Sequence, residues 1–181
     1  MRAIHRMIEG HAAASPDAIA IADRDRVISY RELNATANAL ARRLMSAGFR
    51  RGMEADVRMA PSVDLAVLLL AILKAGGHYR WSDASLDGAS ELLSNVGGVP
   101  RGVQCSPNLP VITRETDIAC VLDRGTGESP LIVPHATVLS MASRPVANRT
   151  PWTGEAGAFD LWIPLIAGAT AVVSDQQAVA A

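Results

Sequence analysis

Residues 61–81 read PSVDLAVLLLAILKAGGHYRW, and this stretch does most to decide the fold. Pro61-Ser62 opens a predicted helix that continues to Ala75 and is apolar nearly all round. Such a helix is normally buried inside the protein rather than laid on its surface. Gly76-Gly77 ends it, and His78 to Trp81 is predicted as a strand. A buried helix followed at once by a strand predicts a layered α/β structure.

A second helix is predicted to begin at Ser29. Glu32 follows that serine by three positions, so the two residues form a capping box in which each side chain bonds the other's backbone amide. Gly48 is the predicted stop of this helix. Its apolar face is predicted to consist of Leu33, Ala37, Leu40, Ala41 and Leu44.

Helices and strands are predicted to alternate along the rest of the chain, which favours an α/β fold built in layers. Further helices are expected over 2–13, 87–95, 135–143 and 159–167. Strands are expected over 18–22, 55–59, 117–122 and 169–174. The stretch 97–110 is rich in Gly and Pro and predicts a loop. We expect one domain over 1–181 with a lobe boundary near 97–116.

Composition excludes several classes of function. The chain has 181 residues with a formal net charge of −1, which gives no electrostatic reason to bind nucleic acid or an anionic membrane. Leu65 to Leu73 is the longest apolar run and is far shorter than the ~20 residues that span a bilayer. The N-terminus lacks the apolar core of a signal peptide, so the cytoplasm is the expected location. Cys105 and Cys120 make neither a disulfide framework nor a metal site, and the four histidines lack ligand spacing.

Residues 118–135, IACVLDRGTGESPLIVPH, carry the strongest chemical signal. A predicted strand leads into Gly125, Thr126 and Gly127. Glycine-rich loops bind phosphates because successive backbone N–H groups can turn toward the anion without Cβ clashes. A short glycine motif is weak evidence by itself, so a plain surface turn is the alternative interpretation.

Four segments in sequence order resemble the N-terminal part of amino-acid adenylation domains of non-ribosomal peptide synthetases. They are ISYRELN at 28–34, LKAGGHY at 73–79, the glycine loop within 118–135, and FD…W…GAT at 159–170. That family makes an aminoacyl-adenylate from ATP and an amino acid and then loads a carrier-protein thiol. The resemblance implies an α/β fold, a layered fragment of the N-terminal subdomain of an adenylate-forming enzyme. It covers essentially this whole chain but less than half of a family member, so we expect a truncated domain.

The resemblance weakens where the family places its chemistry. The family's phosphate loop reads roughly Y-T-S-G-S-T-G-x-P-K-G, whereas residues 123–131 read DRGTGESPL, with no lysine and an acidic Glu128. Gly125, Thr126 and Gly127 are therefore interpreted as a vestigial phosphate loop. Asp160 matches the aspartate that the family uses to pair the substrate's α-amino group, but the helix around it is shortened by about one turn, ~3.6 residues. Asp160 is predicted as a vestigial substrate contact, and a solvent-facing or capping residue is the alternative.

These features predict a pseudoenzyme: a catalytically inactive pseudo-adenylation domain that serves as a scaffold or docking element in a secondary-metabolite assembly line. An enzyme fragment that works with a partner half is the main alternative, and an ATP-binding regulator is a third. No catalytic residue, metal or cofactor is expected, with ATP and Mg²⁺ bound only if adenylation persists. Expected partners are a condensation domain, a carrier protein or a second copy, with neither nucleic acid nor membrane. The predicted interface consists of Trp152, Phe159 and Trp162, for which core packing is the alternative.

Overall fold

A computed structural model describes residues 2–24, 26–82, 91–122, 129–143, 152 and 158–173. In this part of the chain the helices are α1 Ile4–Ala14, α2 Tyr30–Ser46, α3 Val63–Lys74, α4 Glu91–Asn95, α5 His135–Ala142 and α6 Ala158–Ile166. The strands are β1 Ile19–Ala22, β2 Val27–Ser29, β3 Glu54–Arg58, β4 His78–Ser82, β5 Ile118–Leu122, β6 Leu131–Pro134 and β7 Ala171–Val172. The predicted α/β class is confirmed.

The larger sheet has the strand order β3-β4-β5-β6. The first three strands are parallel, and β6 returns antiparallel to β5. A parallel pair of consecutive strands needs a crossover connection, and α3 supplies it between β3 and β4. The carboxyl ends of β3, β4 and β5 therefore share one edge of the sheet.

The smaller sheet has the order β2-β1-β7, with β2 antiparallel and β7 parallel to β1. Its inner face is apolar because Ile21 lies opposite both Ile28 and Ala171, and all three are buried. On the other face Val27 and Val172 flank Ala22 and are 54% and 42% exposed. The sheet thus joins the beginning of the described chain to its last strand.

Helix α3 forms the centre of the core, as its sequence predicts. Every residue from Leu65 to Leu73 is at most 1% exposed. The Ser62 hydroxyl accepts a hydrogen bond from the Leu65 amide at 3.1 Å and caps the first turn. Gly76, at φ +83°, ends the helix in a left-handed conformation that favours glycine. Gly77 packs so closely that a Cβ there would lie 2.4 Å from Cε1 of Phe49.

The capping box of α2 is confirmed. The Glu32 amide donates to Ser29 Oγ at 3.2 Å, and the Ser29 amide donates to Glu32 Oε2 at 3.1 Å. The polar face of α2 binds the irregular segment 104–108. Asn38 Nδ2 donates to the carbonyl of Ser106 at 2.8 Å, and Arg42 donates to the carbonyl of Pro107 at 2.6 Å. The segment between α4 and β5 is therefore tied to the helix layer.

Two strands, β2 and β6, occur where the sequence predicts a cap or a loop. Both are short and lie at sheet edges, where pairing to a neighbour rather than periodicity creates the strand. The lobe boundary predicted at 97–116 stays a prediction, and the β4–β5 and β1–β7 pairings both join residues on its two sides. Among the described residues, no helix is long and apolar enough to cross a membrane.

Candidate functional site

The hairpin of β5 and β6 frames the candidate phosphate loop. Leu122 and Leu131 pair at its open end, while Gly125, Thr126, Gly127 and Glu128 lie outside the described residues. The loop leads into β6, and α5 begins only at His135 after that strand. The loop is therefore not followed at once by a helix N-terminus, whose free amides and dipole make a ready anion site.

The position of the hairpin identifies the edge of the sheet where a ligand would bind. Ligands of open α/β sheets bind outside the carboxyl ends of the parallel strands. β4 and β5 run parallel and end at Ser82 and Leu122, so residue 122, after which the candidate loop begins, lies at that edge. Ala119 and Cys120 are fully buried and anchor β5 in the core below it.

Asp160 lies in the first turn of α6 and is partly buried. Burial raises the pKa of its carboxyl group. Among the described residues, no hydrogen bond or ion pair reaches the Asp160 carboxylate. Pro164 has no N–H and cannot donate to the Asp160 carbonyl four positions earlier. The residue thus offers a carboxylate and a carbonyl with which an ammonium group could pair.

Trp162 ties α6 to the larger sheet. Its indole Nε1–H donates to the Tyr79 hydroxyl of β4 at 2.7 Å, and both side chains are fully buried. Burial raises the pKa of Tyr79 well above its ordinary value, so the hydroxyl is neutral. Trp162 therefore positions the helix that carries Asp160.

The tryptophans for which an interface is predicted are buried in the core, which was the alternative. Trp152 and Trp162 are each 0% exposed, and the ring of Trp152 lies 5.5 Å from that of Trp81. Burial of an indole side chain is strongly favourable because it removes a large apolar surface from water. Here the core of the chain itself buries both indoles. Neither can contact a partner while the core is closed. Phe159 is partly buried against the core, and its place in an interface stays a prediction.

The far end of α6 is held by polar side chains of the first two helices. The Tyr30 hydroxyl lies 2.8 Å from the carbonyl oxygen of Ala169 and 3.1 Å from that of Leu165, and its single proton is shared between these two acceptors. His11 Nε2 lies 2.8 Å from the carbonyl of Ile166. These contacts satisfy carbonyls at the end of the helix and position β7 beside β1.

The sequence interpretation missed a buried polar cluster between α1, α3 and α5. Lys74, the only lysine of the chain, forms an ion pair of 2.6 Å with Glu9, and both side chains are almost fully buried. His5 and His135 are buried beside it, with ring centroids 6.2 Å apart. The helical spacing of Ile4 and Ile8 predicts the buried face of α1. No sequence pattern predicts that His5 lies beside His135, which is far away along the chain.

A shallow cavity of about 480 Å³ lies at the amino ends of β4 and β5, at the opposite edge of the sheet from Leu122. Arg51 and Asp117 line it and form an ion pair of 2.9 Å. That contact and the Arg114 amide lower the pKa of Asp117 despite some burial. Within the described ranges, no cluster of three or more His, Cys, Asp or Glu side chains could hold a metal ion.

Comparison with known proteins shows which proteins this chain is similar to in sequence and in fold. Residues 8–90 match the AMP-binding enzyme family. Over 96% of its length the chain superposes on the N-terminal subdomain of Klebsiella oxytoca NpsA in complex with 3-hydroxyanthranilyl-AMSN, with a TM-score of 0.71 and 17% identity. It superposes equally well, with a TM-score of 0.71 and 21% identity, on NpsA-ThdA, an artificially fused adenylation–PCP di-domain. The fold is that of the N-terminal subdomain of an adenylation domain.

The sequence relatives of this chain include peptide synthetases. The chain is 42% identical over 78 residues to tyrocidine synthase 1 of Brevibacillus parabrevis and 42% identical over 76 residues to malpibaldin synthetase of Mortierella alpina. The predicted resemblance to adenylation domains of non-ribosomal peptide synthetases is thus confirmed. The matches cover 43% and 42% of this chain but only 7% and 1% of those proteins. The chain spans 54% of the NpsA subdomain.

Proposed function

We propose that this chain is an inactive adenylation-like domain that serves as a structural and docking element beside other synthetase domains. One observation supports the loss of activity: the connection from β5 to β6 reads DRGTGESP and contains no lysine. ATP-dependent acyl transfer needs fixed positive charge and hydrogen-bond donors at the phosphates. This connection offers Gly125, Thr126 and Gly127 with an acidic neighbour, Glu128.

Electrostatics oppose ATP at this position. A triphosphate beside the Glu128 carboxylate meets a like charge, and the strand that follows the loop adds no helix dipole. Arg124 is the basic residue in the connection, and a loop arginine without a helix N-terminus is a small part of a phosphate site. We therefore expect ATP binding to be weak or absent.

ATP–pyrophosphate exchange tests the proposal. The purified chain is assayed with each proteinogenic amino acid, beside an active adenylation domain as positive control. We expect no exchange above background, and Leu131→Lys, which places a lysine at the end of the connection, is expected not to create any. Exchange by the isolated parent chain would overturn the proposal.

Calorimetry with ATP and Mg²⁺ distinguishes an inactive scaffold from an ATP-binding regulator. A dissociation constant in the low micromolar range without exchange would favour the regulator. Glu128→Gln gives the matched comparison, because it removes the repelling charge and keeps the size of the side chain. A tighter dissociation constant for this variant would place the nucleotide beside residue 128.

A fragment that becomes active with a partner polypeptide is the second candidate. The exposed edge of the larger sheet favours it, because in the described part of the chain β6 is an edge strand, on which Ile132 is 57% and Leu131 39% exposed. An edge strand offers unpaired backbone groups to another chain. Exchange that appears only after mixing with neighbouring synthetase domains would support this candidate against the scaffold.

Docking is tested with the domains that stand beside adenylation domains. The NpsA-ThdA di-domain pairs adenylation with a PCP, and we propose a carrier protein as the first partner to examine. Pull-down with purified carrier and condensation domains should show binding to at least one. Binding to none, with a monomeric chain in ultracentrifugation, would remove the main support for a docking role.

A further inference from the structure

The buried cluster between α1, α3 and α5 contains two histidines whose polar atoms are not all satisfied. His5 is 3% and His135 0% exposed. The Ile4 amide donates to His135 Nδ1 at 3.3 Å, which leaves the proton of the neutral ring on Nε2. His135 Nε2 and His5 Nδ1 are buried and have no hydrogen-bond partner among the described residues. A buried polar atom without a partner destabilises the closed state.

The charges around the pair oppose its protonation. Lys74 and Arg6 both bond the Glu9 carboxylate, at 2.6 Å and 2.9 Å, so the single nearby acid of α1 is already shared by two cations. A proton on His5 would add a third positive charge where water cannot screen it. The charged groups that face the pair or its lysine are Arg6 and Glu9 on α1, Arg42 on α2, Lys74 on α3 and Asp117 ahead of β5.

We propose that His5 and His135 form an acid-sensitive latch that fastens α1 to α3 and α5. The latch is closed while both imidazoles are neutral and opens when they take up protons, because the rings then reach water only if α1 separates from α5. Since α5 follows β6 directly, opening loosens the support of the hairpin that carries the glycine loop.

The direction in which stability depends on pH follows from the lowered pKa values of His5 and His135. Burial, together with Lys74, His135 and Arg6, lowers the pKa of His5 to about 3, and burial lowers that of His135 to about 4 against the pull of Asp117. In the unfolded chain both titrate near ~6.5. Below that pH the unfolded state binds more protons, so stability falls as pH falls from about 6.5 toward 4. The unfolding constant should rise by up to about tenfold per pH unit for each histidine.

Urea unfolding from pH 7.5 to 5 tests the latch with the parent, H5L, H135N and the double variant. The asparagine of H135N keeps an oxygen acceptor for the Ile4 amide, and the leucine of H5L replaces a ring whose Nδ1 has no partner. H78Q, outside the cluster, is the matched control. In the parent, the unfolding constant should rise as the pH falls from 7.5 to 5. We expect most of this rise to disappear in the double variant and to persist in H78Q. Equal pH dependence in the parent and the double variant would overturn the proposal.

Two measurements on the parent keep the test decisive if a variant does not fold. The ring signals of His5 and His135, followed by NMR, should stay constant from pH 7.5 to 5 in the folded protein. Hydrogen exchange in α1, corrected for intrinsic rates, should accelerate relative to α2 as pH falls. Titration of both rings near 6.5, or pH-independent opening of α1, would refute the latch. These results do not depend on adenylation, so they stand or fall apart from the proposed function.

Discussion

Two regions of the chain contribute to the α/β fold in different ways. The first consists of residues 4–82 and the second of residues 91–173. The first region builds its core from a continuous apolar helix, α3, with the other elements packed around it. The second adds strands to sheets that the first begins, and specific hydrogen bonds hold its helices, such as those from Trp162 to Tyr79 and from Tyr30 to Leu165. The first region therefore acts as the template. The glycine loop and Asp160, which the resemblance associates with chemistry, belong to the second region, and this region is attached to that template.

The largest loss of stability is expected when a charged side chain is introduced into the core of the first region. Leu69→Asp places an unpaired carboxylate on a fully buried position of α3. The cost is several kcal/mol, comparable to the ~5–15 kcal/mol that stabilises a typical domain, so the chain should unfold. Circular dichroism and thermal melting measure this.

The matched control for Leu69→Asp is Ile132→Asp on the edge strand β6, where the side chain is 57% exposed. We expect a change within about 0.5 kcal/mol, as for most surface substitutions. A folded Leu69→Asp protein with an unchanged melting temperature would show that α3 is not the template.

Trp162→Ala tests the attachment of the second region. The loss of a fully buried indole and its bond to Tyr79 should cost about 3–5 kcal/mol. If the second region is attached rather than integral, hydrogen exchange should rise in α6 and β7 before it rises in α3. Trp162→Phe, which keeps a ring but removes the N–H donor, separates packing from the hydrogen bond. Uniform loss of protection across both regions would contradict the division.

Two glycine substitutions sharpen the comparison inside the first region. A Cβ at Gly77 would lie 2.4 Å from Cε1 of Phe49 and 2.8 Å from the carbonyl oxygen of Met53, so Gly77→Ala should destabilise by about 1–3 kcal/mol. At Gly10, inside α1, such a Cβ would have no described atom within 4 Å apart from its chain neighbours and the backbone of its own helix. Gly10→Ala should stabilise by about 0.5–1 kcal/mol, because glycine is poor in a helix interior. Urea midpoints measure both variants. A stabilised Gly77→Ala protein would show that the Phe49 ring moves aside easily, and a destabilised Gly10→Ala protein would contradict the second expectation.

The smallest loss of stability is expected when the N-cap of α2 is removed. Ser29→Ala removes the acceptor for the Glu32 amide and should cost about 1 kcal/mol. Ser46→Ala, at the exposed end of the same helix, should be neutral within about 0.5 kcal/mol. Chemical denaturation of the pair gives the difference directly. No difference between them would mean that packing alone fixes the start of α2.

Local signals predicted the first region well. The capping box at Ser29 gave the start of α2, and the apolar run of α3 gave both its helix and its burial. The strands β2 and β6 were not predicted because their residues adjoin a helix cap and a glycine loop, and pairing with β1 or β5 creates them.

The candidate site was predictable only in part. The resemblance identified Asp160 and the glycine loop, whereas a single sequence does not show whether a tryptophan faces a partner or the core. The sequence predicts an interface at Trp152 and Trp162, whereas their complete burial favours the alternative of core packing. His5 and His135 meet only through tertiary packing, so no local pattern could have paired them.

The pairing of β7 with β1 has a consequence for folding kinetics. Thr170 Oγ1 donates to the carbonyl of Ile19, 151 positions away, and the two strands lie side by side. Contacts of such long sequence separation form late, because loop closure must precede any gain from pairing. During synthesis β1 therefore leaves the ribosome long before its parallel neighbour, and its edge stays unpaired meanwhile. An unpaired apolar edge is a route to aggregation, so the nascent chain is most vulnerable in the interval between these two strands.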